Sequence, residues 1–230
     1  MPPLHEHIHL LIPAYNESEV IAETIAEIRQ ALPACHIVII DDGSTDDTAA
    51  KAKAAGAEVL RHPINRGAGA AVQTAISLAR CKGWRYIAFM DADGQHVPAD
   101  LTKMWHKMQQ SGADLVIGSR FLEPNPAIPR SRRIFNSLAN MLTNTFCRNR
   151  YSDTQSGFRL LNRRAIEQID LFQDDFSFCS EMLIQAENAN LTIVETPIHV
   201  RYTEYSVSKG QDLQVGFWTA FHFLWKAIFK

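Results

Sequence analysis

The sequence predicts an α/β fold: a mostly parallel central sheet with helices on both faces. Three observations predict it. Short β-branched runs alternate with helically spaced apolar residues over the first 120 positions. The strand segments are continuously apolar, as strands covered on both faces must be. Polar clusters follow those strands, and function in such sheets gathers at the strands' carboxyl ends.

The elements follow in order. Ile8 to Ile12 reads as a strand ending at Pro13. Ile21, Ile25, Ile28 and Leu32 share one helical face, with Ser18 as the cap just ahead. Ile37 to Ile40 is a second strand, and Asp46 caps an Ala-rich helix over Thr48 to Ala55. Glu58 to Leu60 is a third strand; Val72, Ala75, Ile76 and Ala79 mark the next helix. Tyr86 to Met90 is a fourth strand, Leu101 to Met108 a helix and Leu115 to Ile117 a fifth strand. Pro124, Pro126 and Pro129 then stiffen a loop. A helix follows with Ile134, Leu138, Met141, Leu142 and Thr145 on one face. A short strand over Phe158 to Leu161, a helix over Glu181 to Ala189, a strand over Thr192 to Tyr202 and a final helix complete the chain.

Composition bounds the function. With 46% apolar and 21% charged residues among 230, the chain is globular and long enough for a sizeable core. A net charge of -2 argues against a general nucleic-acid binder. Cys35, Cys81, Cys147 and Cys179 are too irregularly spaced for a zinc knuckle or a disulfide framework and read as free thiols in a reducing compartment. No signal peptide is evident, and no uncharged apolar stretch reaches the roughly 18 residues of a spanning helix.

The clusters at the strand ends carry the chemistry. Asp91 and Asp93 follow the fourth strand, and residues i and i+2 of an extended segment point to one side. Two carboxylates aimed together repel unless a cation lies between them. Hard ions such as Mg²⁺ accept such donors and leave positions for phosphate oxygens. Gly94 lets the chain turn, bringing Gln95 or His96 toward the same ion. Asp41-Asp42-Gly43-Ser44 after the second strand suits helix capping and also nucleobase or ribose recognition. Asn65-Arg66-Gly67-Ala68-Gly69 superficially suggests a dinucleotide fingerprint. Val72 stands where the third glycine belongs, and the stretch follows the third strand, so that reading is set aside.

Together these segments resemble the family 2 glycosyltransferases of GT-A fold, and most of all their polyprenyl-phosphate branch. The matches run Ile12-Pro13-Ala14-Tyr15-Asn16-Glu17, Ile40 to Ser44, Asn65-Arg66-Gly67 with Gly69, Asp91 to His96, Gly118-Ser119-Arg120 and Asp153 to Arg159. Downstream, Arg201 and Ser208-Lys209 fit more loosely, since the glycine usual before that serine is absent and the spacing is longer. The resemblance implies that Pro13, Tyr15, Glu17, Asp42, Arg66, Gly67 and Asp91 bind the nucleotide sugar. It implies that Asp91, Asp93 and Gln95 hold Mg²⁺ or Mn²⁺ against the diphosphate. It makes Asp93, Arg120 and Asp153 the catalytic candidates, Asp153 as a base or an aligner of the nucleophile.

The segment from Arg120 to Arg150 holds six arginines, one glutamate and neither lysine nor aspartate. Arg130, Arg132 and Arg133 fall at the start of a helix, where each cation opposes the helix dipole by ~0.3–1 kcal/mol. A bound anion reverses that sign. The segment therefore predicts a phosphate site, with Arg159, Arg201, Ser208 and Lys209 as further contacts. Leu213, Phe217, Phe221, Leu224 and Ile228 share a helical face flanked by Trp218, Trp225, Lys226 and Lys230. Residues 1–209 are thus expected to form the catalytic domain, and 210–230 a helix for the membrane interface or for a protein partner.

The expected enzyme is a metal-dependent, inverting glycosyltransferase moving a hexose of mannose or glucose type from a GDP- or UDP-sugar to a polyprenyl phosphate. It is placed at the cytosolic face of the membrane, with a separate membrane subunit and a homodimer left open. One rival is a family 2 enzyme acting on a glycan hydroxyl, which needs a base. The other is a nucleotide-sugar-binding subunit without catalysis, against which the intact Asp91, Asp93 and Gln95 argue.

Overall fold

The computed structural model describes residues 8–124 and 128–202. Ser208, Lys209 and the amphipathic segment over 210–230 lie outside the described residues. The strands are β1 (Ile8–Ala14), β2 (His36–Asp41), β3 (Glu58–Arg61), β4 (Tyr86–Phe89), β5 (Leu115–Ser119), β6 (Arg159–Asn162) and β7 (Ile193–Pro197). They form one seven-stranded sheet in the order β3-β2-β1-β4-β6-β5-β7. Only β6 runs against its neighbours.

Strand alternation builds two cores. Leu10, Ile12, Ile37, Ile39, Ala88 and Val116 point to one face and pack with α1 (Ile21–Ala31), α2 (Thr48–Ala54) and α4 (Asp100–Ser111). Leu11, Val38, Ile40, Ile87, Leu115 and Ile117 point to the other and pack with α3 (Ala68–Lys82), α6 (Arg163–Gln168) and α7 (Phe178–Asn188). Each apolar side chain so buried contributes about 1.5–3 kcal/mol, so the two faces fix the register.

Several boundaries differ from expectation. β1 runs through Pro13 to Ala14. The Leu11 carbonyl accepts from Met90 N on the β4 side, and the Ala14 carbonyl accepts from Asp42 N on the β2 side. Alternation turns the Pro13 nitrogen toward β4, whose pairing with β1 ends at Leu11, so no ladder bond is lost. Ser18 does not cap α1; Glu17 O receives Val20 N and Ile21 N instead, and no side chain caps the helix. Asp46 does hold the start of α2, accepting from Thr48 N at 3.0 Å. β7 stops at Pro197 because β5 ends at its partner Ser119. The chain then changes partner: Val200 bridges His96, and Arg201 N donates to Gln95 O. The six-residue α6 is too short for periodicity to reveal, although Asn162 caps it by accepting from Ala165 N.

The start of α3 packs against the 173–175 loop. Gly69 N donates to Asp174 O at 2.8 Å, and a Cβ at Gly69 would lie well inside contact with Gln173 O. Gly69→Ala is expected to cost ~1–3 kcal/mol through overpacking. A thermal melt should show Tm several degrees lower; an unchanged Tm would contradict this packing.

α5 (Arg130–Asn144) stands apart from both layers. Asn140, Thr143 and Asn144 face the body and its apolar stripe faces out: Ile134, Phe135, Leu138 and Met141 are all exposed.

Candidate active site

The carboxyl ends of β1, β2 and β4 meet at one edge. Asn16 adopts a left-handed conformation (φ 54°) that Asn tolerates better than most residues, and its Oδ1 accepts from Thr45 N at 2.9 Å. Ser44 Oγ accepts from Asn16 N, and Thr48 Oγ1 accepts from Glu17 N. These bonds zip the β1 and β2 exit loops together and leave the Tyr15 side chain exposed beside Glu17, suited to stacking on a planar base.

Asp42, expected at the nucleotide, is engaged by the loop after β3. It is buried, and its carboxylate accepts from Arg66 N and Gly67 N at 3.0 and 2.6 Å, while His62 Nδ1 lies 2.7 Å away. It therefore shapes the nucleotide edge through the loop it holds. Gly67 (φ 109°) packs against the backbone of Asp174, and half-exposed Arg66 pairs with the Asp174 side chain. Gly67 is thus required by loop packing.

Asp91 and Asp93 project from the turn after β4, which Gly94 (φ 72°) makes. Thr24 Oγ1 of α1 donates to Ala92 O and ties the turn to the body. Asp91 Oδ2 lies 2.9 Å from His96 Nε2. The Asp91 side chain is half exposed at this edge; desolvation by the surrounding protein raises its pKa, but the His96 bond and the charges of His96, Arg120 and Arg159 outweigh it and hold the carboxyl below its ordinary range. Asp93 moves the other way, up to about 6, through burial and then the charge of Asp91. An acidic side chain whose ionisation a neighbouring carboxylate opposes is what a cation relieves. Gln95 is fixed beside them, its Nε2 donating to Asp93 Oδ2 at 2.7 Å. Among the described residues no group of three or more His, Cys, Asp or Glu side chains surrounds one metal position. Asp91 and Asp93, with the Gln95 amide beside them, fit a hard divalent ion that keeps other positions for phosphate oxygens.

A second part of the site is built on an ion pair. Asp153 is fully buried, and Arg120 grips it twice: Nε donates to Oδ2 and Nη2 to Oδ1, each at 2.7 Å. Arg120 N donates to Oδ2 as well. Burial disfavours the Arg120 charge, but Asp153 raises its pKa and keeps it protonated. The Asp153 carboxylate, expected as a base or an aligner of the nucleophile, is occupied here in holding Arg120. Arg159 is also fully buried. It donates to the carbonyls of Ser156 and Thr154 and braces the loop from inside, while its buried Nη1 has no hydrogen-bond partner among the described residues. Arg201 pairs with Glu27 of α1 at 2.7 Å. Arg130 opens α5, and the Arg132 guanidinium lies over the Tyr202 ring. Arg133 and Arg120 line one cavity of about 360 Å³ with Phe121, Leu122, Glu123, Pro124 and Ile128.

Some supporting residues were not visible in sequence spacing. Gly157 lets the acceptor loop approach the metal edge, since a Cβ there would lie 2.5 Å from Asp91 Oδ1. Asn140 of α5 accepts from Thr154 N and donates to Ser152 O. An Asn at an inward position of an otherwise outward-facing apolar helix was the available signal.

An α/β sheet with paired carboxylates at its carboxyl edge has the architecture of the GT-A glycosyltransferases. The crystal structure of glucosyl-3-phosphoglycerate synthase from Mycobacterium tuberculosis with Mn²⁺ and UDP-glucose matches with a TM-score of 0.70 at 18% identity, over 95% of this chain and 77% of that one. The model of glycosyl transferase family 2 matches residues 10–170, and the chain belongs to that family and is a glycosyltransferase. Its relatives include the UDP-N-acetylglucosamine–dolichyl-phosphate N-acetylglucosaminyltransferase of Methanococcus voltae, 30% identical over 91% of this chain and 92% of that protein. The polyprenol monophosphomannose synthase of Mycolicibacterium smegmatis is 31% identical over 87% of this chain and 79% of that protein.

Proposed function

We propose that this enzyme transfers a hexosyl group from a GDP- or UDP-sugar to a dolichyl or undecaprenyl type of polyprenyl phosphate, with inversion, at the cytosolic face of a membrane. The observation that carries this reading is the cavity that combines Arg120 and Arg133 with Phe121, Leu122, Pro124 and Ile128. Arg133, beside Glu123 and the Asp153-paired Arg120, suits a phosphate, and the apolar walls suit the chain attached to it. The two relatives named above act, by their names, on dolichyl phosphate or make a polyprenol monophosphate sugar. They differ in the sugar, so the proposal extends to the hexosyl class.

The burial of Asp153 supports the same acceptor. A glycan hydroxyl needs a base, and this carboxylate is occupied by Arg120. A phosphomonoester is already anionic near neutral pH and needs positioning instead. Gly157 brings the loop that carries Asp153 against Asp91, since a Cβ there would lie 2.5 Å from Asp91 Oδ1. One displacement by a phosphate oxygen at the anomeric carbon inverts its configuration. Asp91 and Asp93, with Gln95, would hold Mg²⁺ or Mn²⁺, which when bound neutralises the departing nucleoside diphosphate. Tyr15 and Glu17 would hold the base and ribose. Arg133→Glu is expected to abolish transfer to lipid phosphate while donor hydrolysis persists; equal lipid transfer would contradict the acceptor assignment.

Membrane placement is supported by α5. Its outward stripe of Ile134, Phe135, Leu138 and Met141 lies between Arg132 and Arg133 at one end and the exposed Arg148 and Arg150 beyond the other. An apolar stripe flanked by cations fits an anionic lipid surface. Among the described residues no helix is long and apolar enough to cross a bilayer. Leu138→Glu with Met141→Ser should reduce flotation with phosphatidylglycerol-containing vesicles at unchanged Tm. Undiminished flotation would count against this face.

A further inference from the structure

The sequence motifs leave Glu195 of β7 without a role. Its neighbours are specific. Ser152 N donates to both carboxylate oxygens, at 3.0 and 2.9 Å. Ser152 Oγ donates to Oε1 at 2.8 Å, and Asp153 N donates to Oε1 at 3.1 Å. Two successive backbone N–H groups and a hydroxyl thus converge on one carboxylate, an anion nest built from the acceptor loop. Among the described residues Glu195 forms no salt bridge with Lys, Arg or His. Neutral donors alone hold its charge.

The held residues are those that fix the reactive arginine. Ser152 Oγ is 2.6 Å from Ser119 Oγ at the end of β5, and the next residue on each side forms the Arg120–Asp153 pair. β5 and β7 are paired in register, Ile117 opposite Glu195. Glu195 is therefore a rigid strut from the sheet to the loop, one residue removed from the carboxylate that aims Arg120.

We infer that Glu195 is a positioning residue, which sets the Arg120 guanidinium at the acceptor cavity by fixing Ser152 and Asp153. The inference rests on the proposed acceptor reading. In Glu195→Gln one oxygen becomes an NH₂ group that opposes Ser152 N, while side-chain size is kept. A misplacement of about 1 Å at such a site lowers turnover on the order of a hundredfold.

The test compares wild type, Glu195→Gln and Glu195→Asp in full-length protein. It measures transfer to undecaprenyl phosphate in detergent, donor affinity with Mn²⁺, and Tm. The expected result is a rise in acceptor KM of on the order of tenfold or more for Glu195→Gln, with donor affinity and Tm close to wild type. Glu195→Asp, which keeps the charge but withdraws it, should fall between. In an Arg120→Lys background Glu195→Gln should add little, because both act on one contact. Wild-type transfer with unchanged acceptor KM in Glu195→Gln overturns the inference. So does a loss that follows Tm and donor affinity in proportion, or full additivity with Arg120→Lys. Absence of lipid transfer by the wild type instead overturns the acceptor reading.

Discussion

Asp93→Asn is expected to reduce transfer by about a thousandfold, the scale on which loss of one preorganised charge-stabilising group acts. Asp93 sits where burial and Asp91 push its pKa up to about 6, so its ionised form is maintained at the expense of local repulsion. The substitution removes that repulsion together with a hard anionic donor. Fold stability should hold or rise slightly, and Mn²⁺-assisted binding of the nucleotide sugar should weaken. Steady-state kinetics beside a thermal melt check both halves. Wild-type turnover in Asp93→Asn would remove the metal edge from the account.

The second large effect lies at Asp153. Asp153→Ala leaves the Arg120 guanidinium partly buried without its counter-charge, and breaking one side of such a pair costs about 3–5 kcal/mol. Tm should fall by ~10 °C or more, given ~2–4 °C per kcal/mol in a chain of this size. Transfer to the lipid should fall with it, because Arg120 loses its anchor. Asp153→Asn keeps the shape, and its carboxamide oxygen still accepts one bond, so it should retain more stability. A general base would behave otherwise: Asp153→Asn would abolish transfer at unchanged Tm, and the wild-type pH–rate profile would show an acidic limb from protonation of that base. That pattern would restore the base and argue for a hydroxyl acceptor.

Much of the fold was legible because period and placement carry it. Ile37 to Ile40 and Tyr86 to Met90 cannot be other than covered strands, and the acidic residues behind them fall at the chemical edge by topology alone. The DxD turn was readable because Gly94 is needed to make it. Direction of use was less readable. Asp42 and Asp153 are acidic residues in the expected loops, but spacing does not reveal that their oxygens face Gly67 N and Arg120. Arg159 reads as a cation for ligand, but spacing does not reveal that two of its N–H groups face loop carbonyls. The helix over Ile134 to Thr145 was correctly periodic, but a period does not say which face meets the body. There Asn140, Thr143 and Asn144 have partners on the body, and the apolar stripe faces outward. Glu195 had no local signal, since its partners are about forty residues away in sequence.

The central claim is that an anionic lipid head in the Arg120–Arg133 cavity attacks a sugar whose diphosphate is held at Asp91 and Asp93. Incubation of the enzyme with radiolabelled GDP- and UDP-hexoses, undecaprenyl phosphate and Mn²⁺, followed by organic extraction, measures it directly. The account predicts label in the lipid phase from at least one donor, lost with EDTA and with Arg133→Glu. Label that never leaves the aqueous phase for any of these donors, or that enters lipid equally with EDTA, would contradict it.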